Sequence, residues 1–407
     1  MTLLRLPALL LVFALTLGSA AMASDTQPHR FVQDRFAVGF WVDPPAGEEM
    51  EFRYREIAEA DFTVVLGGFG ARTPETVRRQ IALCERYDLK ALVAMAGLPP
   101  AALPESPAVW GYMLRDEPNV ADFAQLRQTV DQIRAARPGR LAYINLYPNY
   151  ANEEQLGVPT YDEHVARFVE EVGVEVLSMD HYPVMRPDAD GREAYCENLE
   201  TMRRYSVNAG IPFWNFFNTM PFGPHFDPTE AQLRWQIYTS LAYGAKGVLY
   251  FCYWTPEGVE FPRGGAIITA EGRRTRHYEQ AQRLNGALKH LGPTLMSLTS
   301  TEVLRLSTNV DTASVMAGSP IHDLTPGDYL IGTFSHADGR RAVLLNNYSF
   351  AYTAWPTVEF DAGLDQVREV SPATGEEIAV VDDSPAMPGL QLSLDAGEGR
   401  LFLLPAR

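Results

Sequence analysis

The chain has 407 residues, 46% hydrophobic and 21% charged, a globular composition that excludes wholesale disorder and a collagen-like repeat. Lys and Arg number 34 against 51 Asp and Glu, and the formal net charge of −17 argues against nucleic acid or an anionic membrane as partner, because phosphates would be repelled. With 8 His and 3 Cys, a His- or Cys-rich metal centre is not expected, and no other cofactor is implied.

In chain order, residues 1–24 read as a secretory signal. Arg5 supplies the positive start, Leu9 to Leu17 the apolar stretch and Ala21-Met22-Ala23 the small-residue cleavage site. That stretch is shorter than the ~20 residues of a membrane span. The expectation is a mature protein that starts near Ser24 or Asp25, is periplasmic or secreted, and has no membrane segment. Three cysteines, Cys84, Cys196 and Cys252, lie far apart and read as buried apolar fillers, the first two in helices and the third in a strand.

From residue 36 onward, eight short apolar runs alternate with amphipathic stretches. The runs are Phe36–Val42, Phe62–Gly67, Ala91–Ala96, Val109–Leu114, Leu141–Leu146, Val174–Met179, Ile211–Phe217 and Gly247–Tyr253. The helical stretches are Thr73–Tyr87, Val120–Ala136, Asp162–Val172, Arg192–Ala209, Thr229–Tyr243 and His277–Leu291. Near-continuous apolar runs alternating with helices indicate a parallel sheet covered on both faces. Eight units in this span predict a closed (β/α)₈ TIM barrel over 25–295. The competing open sheet often carries a G-x-G-x-x-G phosphate loop, which Gly67-Gly68-Phe69-Gly70 does not match. Thr73 ahead of Pro74 marks a helix start and Gly210 a helix end. Beyond residue 295 the pattern becomes short alternating strands with Gly and Pro turns, Asp338-Gly339 among them, so 296–407 is predicted to be an antiparallel β-sandwich. Of its aromatics Tyr348, Phe350, Tyr352 and Trp355, burial in a strand and turn is the first reading and sugar contact the second.

In a (β/α)₈ barrel the chemistry collects at the carboxyl ends of the strands. Those ends carry Trp41, Asp116-Glu117, Tyr147, Asp180-His181-Tyr182, Asn215, Trp254 and Glu257. Aromatic faces pack on the C–H faces of sugar rings, while Asn, Asp, His and Arg satisfy hydroxyls, so a carbohydrate substrate is the expectation. Glycoside hydrolysis needs two carboxyl groups, one of them kept protonated. Glu117 is the candidate acid, because the charge of Asp116 beside it would raise its pKa, with Arg115 paired to one of the two. The competing reading has both acids merely favouring the helix that follows Pro118. Asp180 is the candidate nucleophile or base, ahead of Glu257. Neighbouring strands are ~4.8 Å apart, so ends two strands apart could bring the carboxyls to ~5.5 Å or leave them near ~9 Å, implying retention or inversion. Asp116, Trp41, Tyr147, His181, Tyr182, Asn215, Trp254 and Glu257 are the candidate sugar contacts.

Leu114-Arg115-Asp116-Glu117-Pro118-Asn119 resembles the strand-4 motif of the large clan of (β/α)₈ glycoside hydrolases, in which a Glu closing strand 4 is the acid/base. Residues 233–256 are similar to the strand 7 to strand 8 region of bacterial β-galactosidase-like barrels. The resemblance covers about residues 36–295 and implies a glycoside hydrolase with Glu117 as acid/base. The clan's nucleophile Glu at the end of strand 7 has no counterpart, since Trp214-Asn215-Phe216-Phe217-Asn218 carries no carboxylate. Three readings therefore stand. One is an exported hydrolase of poly- or oligosaccharides that uses Glu117 and Asp180; another is a carbohydrate-binding barrel without turnover. A metal-dependent hydrolase comes third, with only Asp180-His181 as a ligand pair and two ligands too few. Oligomeric state does not follow from the sequence.

Overall fold

A computed structural model describes residues 30–406 apart from 188, 260, 262–264 and 309–314. The signal segment expected over residues 1–24 lies outside the described residues. Among those described, no helix is long and apolar enough to cross a membrane.

Residues 37–296 form a (β/α)₈ barrel. Its strands are β1 (Ala37–Phe40), β2 (Val64–Leu66), β3 (Lys90–Ala94), β4 (Val109–Asp116), β5 (Leu141–Asn145), β6 (Leu177–Asp180), β7 (Phe213–Asn218) and β8 (Gly247–Phe251). All eight expected runs form strands. Parallel pairing runs β2-β3-β4-β5 and β6-β7-β8-β1. Two seams close the circle: Thr63 N–H donates to Val38 O at 2.8 Å, and Leu146 N–H donates to Ser178 O at 2.8 Å. The lumen is filled by side chains including Val64, Leu92, Trp110, Leu141, Tyr143, Trp214 and Leu249. Gly39 is required inside, since a Cβ there would lie 2.6 Å from Leu249 Cδ2.

The helices are α1 (Met50–Glu59), α2 (Pro74–Arg86), α3 (Phe123–Ala136), α4 (Glu153–Leu156), α5 (Tyr161–Val172), α6 (Arg192–Ala209), α7 (Glu230–Ala242) and α8 (Arg276–Met296). Thr73 caps α2 by accepting from Thr76 N–H, and Gly210 closes α6 at φ +65°. Between β3 and β4 the only helix is the 3₁₀ turn Pro100–Ala102, where Pro99, Pro100, Pro104 and Pro107 bar a regular helix. α1 had no expectation attached to it. Its core face is polar as well as apolar, burying Arg53 and Glu56 beside Met50, Tyr54 and Ile57.

Residues 298–404 carry an antiparallel sandwich. β9 (Leu298–Leu306), β11 (Tyr329–His336), β12 (Arg341–Asn347), β14 (Arg368–Val370), β15 (Glu377–Ala379) and β17 (Gly399–Leu404) form one sheet; β10 (Ile321–Leu324), β13 (Thr357–Phe360) and β16 (Leu390–Gln391) form the other. Gly339, at φ +93°, makes the β11–β12 turn. The larger sheet is buried on both faces. Leu330, Leu344 and Leu403 join the barrel's core, while Ile331, Val343 and Phe402 face the smaller sheet. Gly332 lets the sheet touch the end of α7, because a Cβ would fall 2.4 Å from Ala242 O. Covered on both sides, α7 is buried from Leu233 to Ala242 except at Arg234, and the buried set includes Gln236, Thr239 and Ser240.

The three cysteines are free thiols, Cys84 and Cys252 buried and Cys196 half-buried. Cys252 lies one residue past β8, not within it.

Candidate active site

A cavity of about 340 Å³ opens at the carboxyl end of the barrel. It is lined by Asp116, Glu117, Asn145 and Asp180, with Trp41, Tyr182, Phe216, Phe222, Phe251 and Phe261 as its aromatic wall. No Arg, Lys or His is among these lining residues.

Strand geometry delivers each acid. Along β6 side chains alternate, so Ser178 and Asp180 face the lumen. In β4 a bulge sets Met113 opposite Tyr143 and Arg115 opposite Ile144, two residues against one, and this turns Asp116 toward the cavity. Glu117 follows with φ +48°, a left-handed conformation uncommon for a side-chain-bearing residue, held by its N–H donating to Asn145 O at 2.8 Å. Val42, next to Trp41 on the opposite rim, is also left-handed at φ +62°, which is costlier still for a β-branched residue.

Asn145 ties the carboxyls together. Its Nδ2 donates to Asp180 Oδ1 at 2.8 Å and to Asp116 Oδ1 at 3.2 Å. Its orientation follows from the Oδ1, which accepts from Ser178 Oγ at 2.9 Å, with Tyr143 Oη in turn 2.8 Å from that hydroxyl. A flip would turn Oδ1 toward the two carboxylates and lose both bonds to them.

The electrostatics follow from crowding anions where water is scarce. Burial, then the charge of Asp116, pushes the Glu117 carboxyl up to about 7. Asp180, 8% exposed, is also raised, first by burial and then by Glu117 and Asp116, while hydrogen bonding from Asn145 and Tyr182 pulls it back. Asp116 reaches solvent at the rim, yet its carboxyl is enclosed enough for burial to raise it, against the bond from Asn145 and the charge of Arg115. Among the described residues no hydrogen bond is made to the Glu117 carboxyl. Asp180 therefore holds donors that favour its anion, and Glu117 holds none.

The motif's competing reading fails on the same geometry. The helix after Pro118 starts as a 3₁₀ turn at Val120, where the cap is Asn119, whose Oδ1 accepts from Ala121 N–H at 2.9 Å. The acid serving that start is Asp122, accepting from Asn119 N–H at 3.0 Å. Arg115 bonds Asp122, at 3.4 Å, and not the two acids beside it. Asp116 and Glu117 are thus left to the cavity.

Trp41, Asp116, Glu117, Asp180 and Tyr182 meet at this cavity; five other expected contacts do not line it. His181 points out to the helix layer, where its Nδ1 lies 3.0 Å from Asn198 Oδ1 and burial lowers its pKa to about 4. Asn215 is fully buried on the same side, donating to Tyr195 Oη at 2.6 Å and Ser240 Oγ at 3.1 Å. Both follow from parity: Asp180 and Phe216 face in, so their neighbours face out. Trp254 lies under the Arg53 guanidinium, 5.2 Å from its ring centre, in a separate cleft of about 290 Å³ shared with Glu48 and Glu271. Glu257 is exposed on its turn. Tyr147 is half-buried outside the lining, near enough that Glu117 and Asp116 add to the effect of burial in raising its pKa.

The residues that sequence reasoning missed are Asn145, Phe216, Phe222, Phe251 and Phe261. Asn145 and Phe251 close their strands and Phe216 lies two residues from the end of β7, where position was a usable signal; Phe222 and Phe261 lie in loops that carry none. Asp43, also at a strand end, has a structural job. Its Oδ1 accepts from Phe69 and Gly70 N–H at 2.9 Å and its Oδ2 from Ala71 N–H at 2.7 Å, organising the glycine-rich loop after β2.

The architecture is a (β/α)₈ barrel followed by an antiparallel β-sandwich. No family model and no curated protein matches the chain. Among solved structures it is similar to β-galactosidase from Bacillus circulans sp. alkalophilus, with a TM-score of 0.60 at 10% identity over 91% of this chain and 99% of that one. It is also similar to a catalytic mutant of Gan42B, a GH42 β-galactosidase from G. stearothermophilus, at TM-score 0.58 and 9% identity over 91% and 98%. Against β-galactosidase from the psychrophilic Marinomonas ef1, at TM-score 0.46 and 11% identity, 63% of this chain matches and spans 60% of that protein's length. At these identities the similarity is one of fold.

Proposed function

We propose that the protein is an exported glycoside hydrolase that cleaves O-glycosidic bonds of a poly- or oligosaccharide. The observation that carries this is the set of three carboxyl groups, two of them bonded to one oriented amide, in an aromatic-walled cavity at the barrel mouth. Glu117, whose pKa near 7 leaves it half-protonated at neutral pH, gives its proton to the leaving oxygen as the glycosidic C–O bond breaks. Asp180, supplied with two donors, acts as the anion. It either bonds the anomeric carbon, to be released by water that Glu117 deprotonates, or takes the proton of a water that attacks directly. The six aromatic side chains supply faces for the sugar and exclude water, which strengthens the coupling among the carboxyls. The Arg5 and Leu9 to Leu17 pattern supports export.

One observation favours a second reading, a barrel that binds glycans without turnover: β7 presents Phe216 to the cavity and carries no carboxylate. Hydrolysis of a broad glycan panel, with products and anomeric configuration followed by NMR, separates the two. Cleavage that survives undiminished in Glu117→Gln would remove Glu117 from the chemistry.

A further inference from the structure

The loop from β12 to β13 carries Tyr352 at 77% and Trp355 at 74% exposure. Both departed from expectation, which had them buried with Tyr348 and Phe350; those two do pack, against Trp235 at 5.4 and 5.9 Å. Exposing an indole and a phenol this fully forgoes the burial energy of the two largest aromatic types.

The loop is tied down at each turn. Asn347 Nδ2 donates to Tyr352 O at 2.7 Å, and Ser349 Oγ accepts from Ala351 and Tyr352 N–H, both at 3.2 Å. Ala354 and Leu394 exchange two bonds of 2.9 Å, and Leu392 N–H donates to Pro356 O at 3.2 Å. Side chains on so pinned a backbone cannot fold back into a core by local adjustment. Three residues of chain reach at most about 11 Å, so both rings stand within the span of a short oligosaccharide.

We infer that Tyr352 and Trp355 form a second, non-catalytic binding surface for a neutral glycan chain. Two flat rings exposed on one short loop fit the C–H faces of sugars, and among the described residues neither the phenol nor the indole N–H is bonded, so both are open to hydroxyls. Partners of other chemistry fit less well. A net charge of −17 opposes nucleic acid, whose bases would also stack on such rings. Two rings also fall short of the ~800 Å² per partner of a stable protein interface. The glycan assignment rests on the proposed function of the barrel, although its test does not depend on turnover.

The test is affinity electrophoresis of the full chain in native gels containing soluble galactan, arabinogalactan, xylan or mixed-linkage β-glucan, beside Tyr352→Ala/Trp355→Ala and Glu117→Gln. Retardation by at least one polysaccharide is expected, weakened at least tenfold in the aromatic double variant and retained in Glu117→Gln. Both rings being exposed, the double variant should keep the wild-type circular dichroism and melting profile, which separates loss of binding from loss of fold. No retardation of the wild type by any of the four, or retardation that survives in the double variant, overturns the inference. A wild-type self-association in sedimentation velocity that the double variant abolishes, without retardation, assigns the rings to a second copy and overturns it too. Retardation without hydrolysis of any glycan would sink the enzyme proposal and leave this surface standing; hydrolysis without retardation would do the reverse.

Discussion

Asp180 and His181 are sequence neighbours, both buried, and they meet opposite chemistry. Asp180 enters a cavity with two more carboxyls and no cation among its described lining residues. His181 enters the layer between strand and helix, where it is neutral and partnered by Asn198. The same division recurs on β7, with Phe216 lining the cavity and Asn215 bonded to Tyr195 and Ser240. Behind the strands, His181 and Asn215 are neutral and bonded to neutral side chains, an arrangement that costs a fold little. Within the mouth, ionisable groups are crowded and their pKa values driven apart from solution values, an arrangement that stability alone would not select. The lesson is that burial does not separate a functional polar residue from a structural one; the charge of its neighbours does.

The largest effects should come from the mouth. If the proposed chemistry holds, Asp180→Asn and Glu117→Gln each lower kcat by about 10²–10⁴-fold on any cleaved glycan. Asn215→Ala, on the same rim but the helix side, should lower it less than tenfold. A kcat loss for Asn215→Ala as deep as for Asp180→Asn would break the contrast. The wild-type rate should fall as pH rises through about 7, as Glu117 loses its proton, and fall on the acid side as Asp180 gains one. Asn145→Ala removes a bond that favours the Asp180 anion, so the acid limb should move to higher pH while circular dichroism stays unchanged.

The helix layer should answer in stability. Asn215→Ala leaves Tyr195 and Ser240 short of a partner in a fully buried site, and His181→Ala does the same to Asn198, for about 1–3 kcal/mol each in urea unfolding. Losses below ~0.5 kcal/mol would mean that the two faces do not differ as argued.

How much of this was legible follows from parity. All eight barrel strands could be read because each lies on a nearly continuous apolar run, and the same property hid which face each residue takes. Asp180, His181, Asn215 and Phe216 were visible as strand ends, but a strand buried on both faces has no polar side to fix its register. The β4 bulge that turns Asp116 inward leaves no composition signal, and the proline-rich stretch between β3 and β4 replaced a helix that the (β/α)₈ pattern led one to expect. α1 was missed because Arg53 and Glu56, paired at 3.1 Å, occupy part of its core face. Carboxylate identity and position were therefore readable, and orientation was not.

The smallest effect is the most discriminating, because it sets function against fold at one atom. A carboxyl whose folded pKa is raised binds its proton more tightly folded than unfolded. Its contribution to stability is full below the ordinary carboxylate value near 4.5 and is lost as pH climbs through about 7. Glu117→Gln removes that penalty and keeps the shape. At pH 8 the variant should be more stable than wild type by about 1–2 kcal/mol, a figure reduced from the full shift because the side chain is partly exposed. At pH 5, where Glu117 already carries its proton, the two should unfold alike. Calorimetry at both pH values decides it. Equal stability at pH 8 would mean that Glu117 is as comfortable ionised as any surface acid, and it would then have no reason to hold a proton for a leaving group.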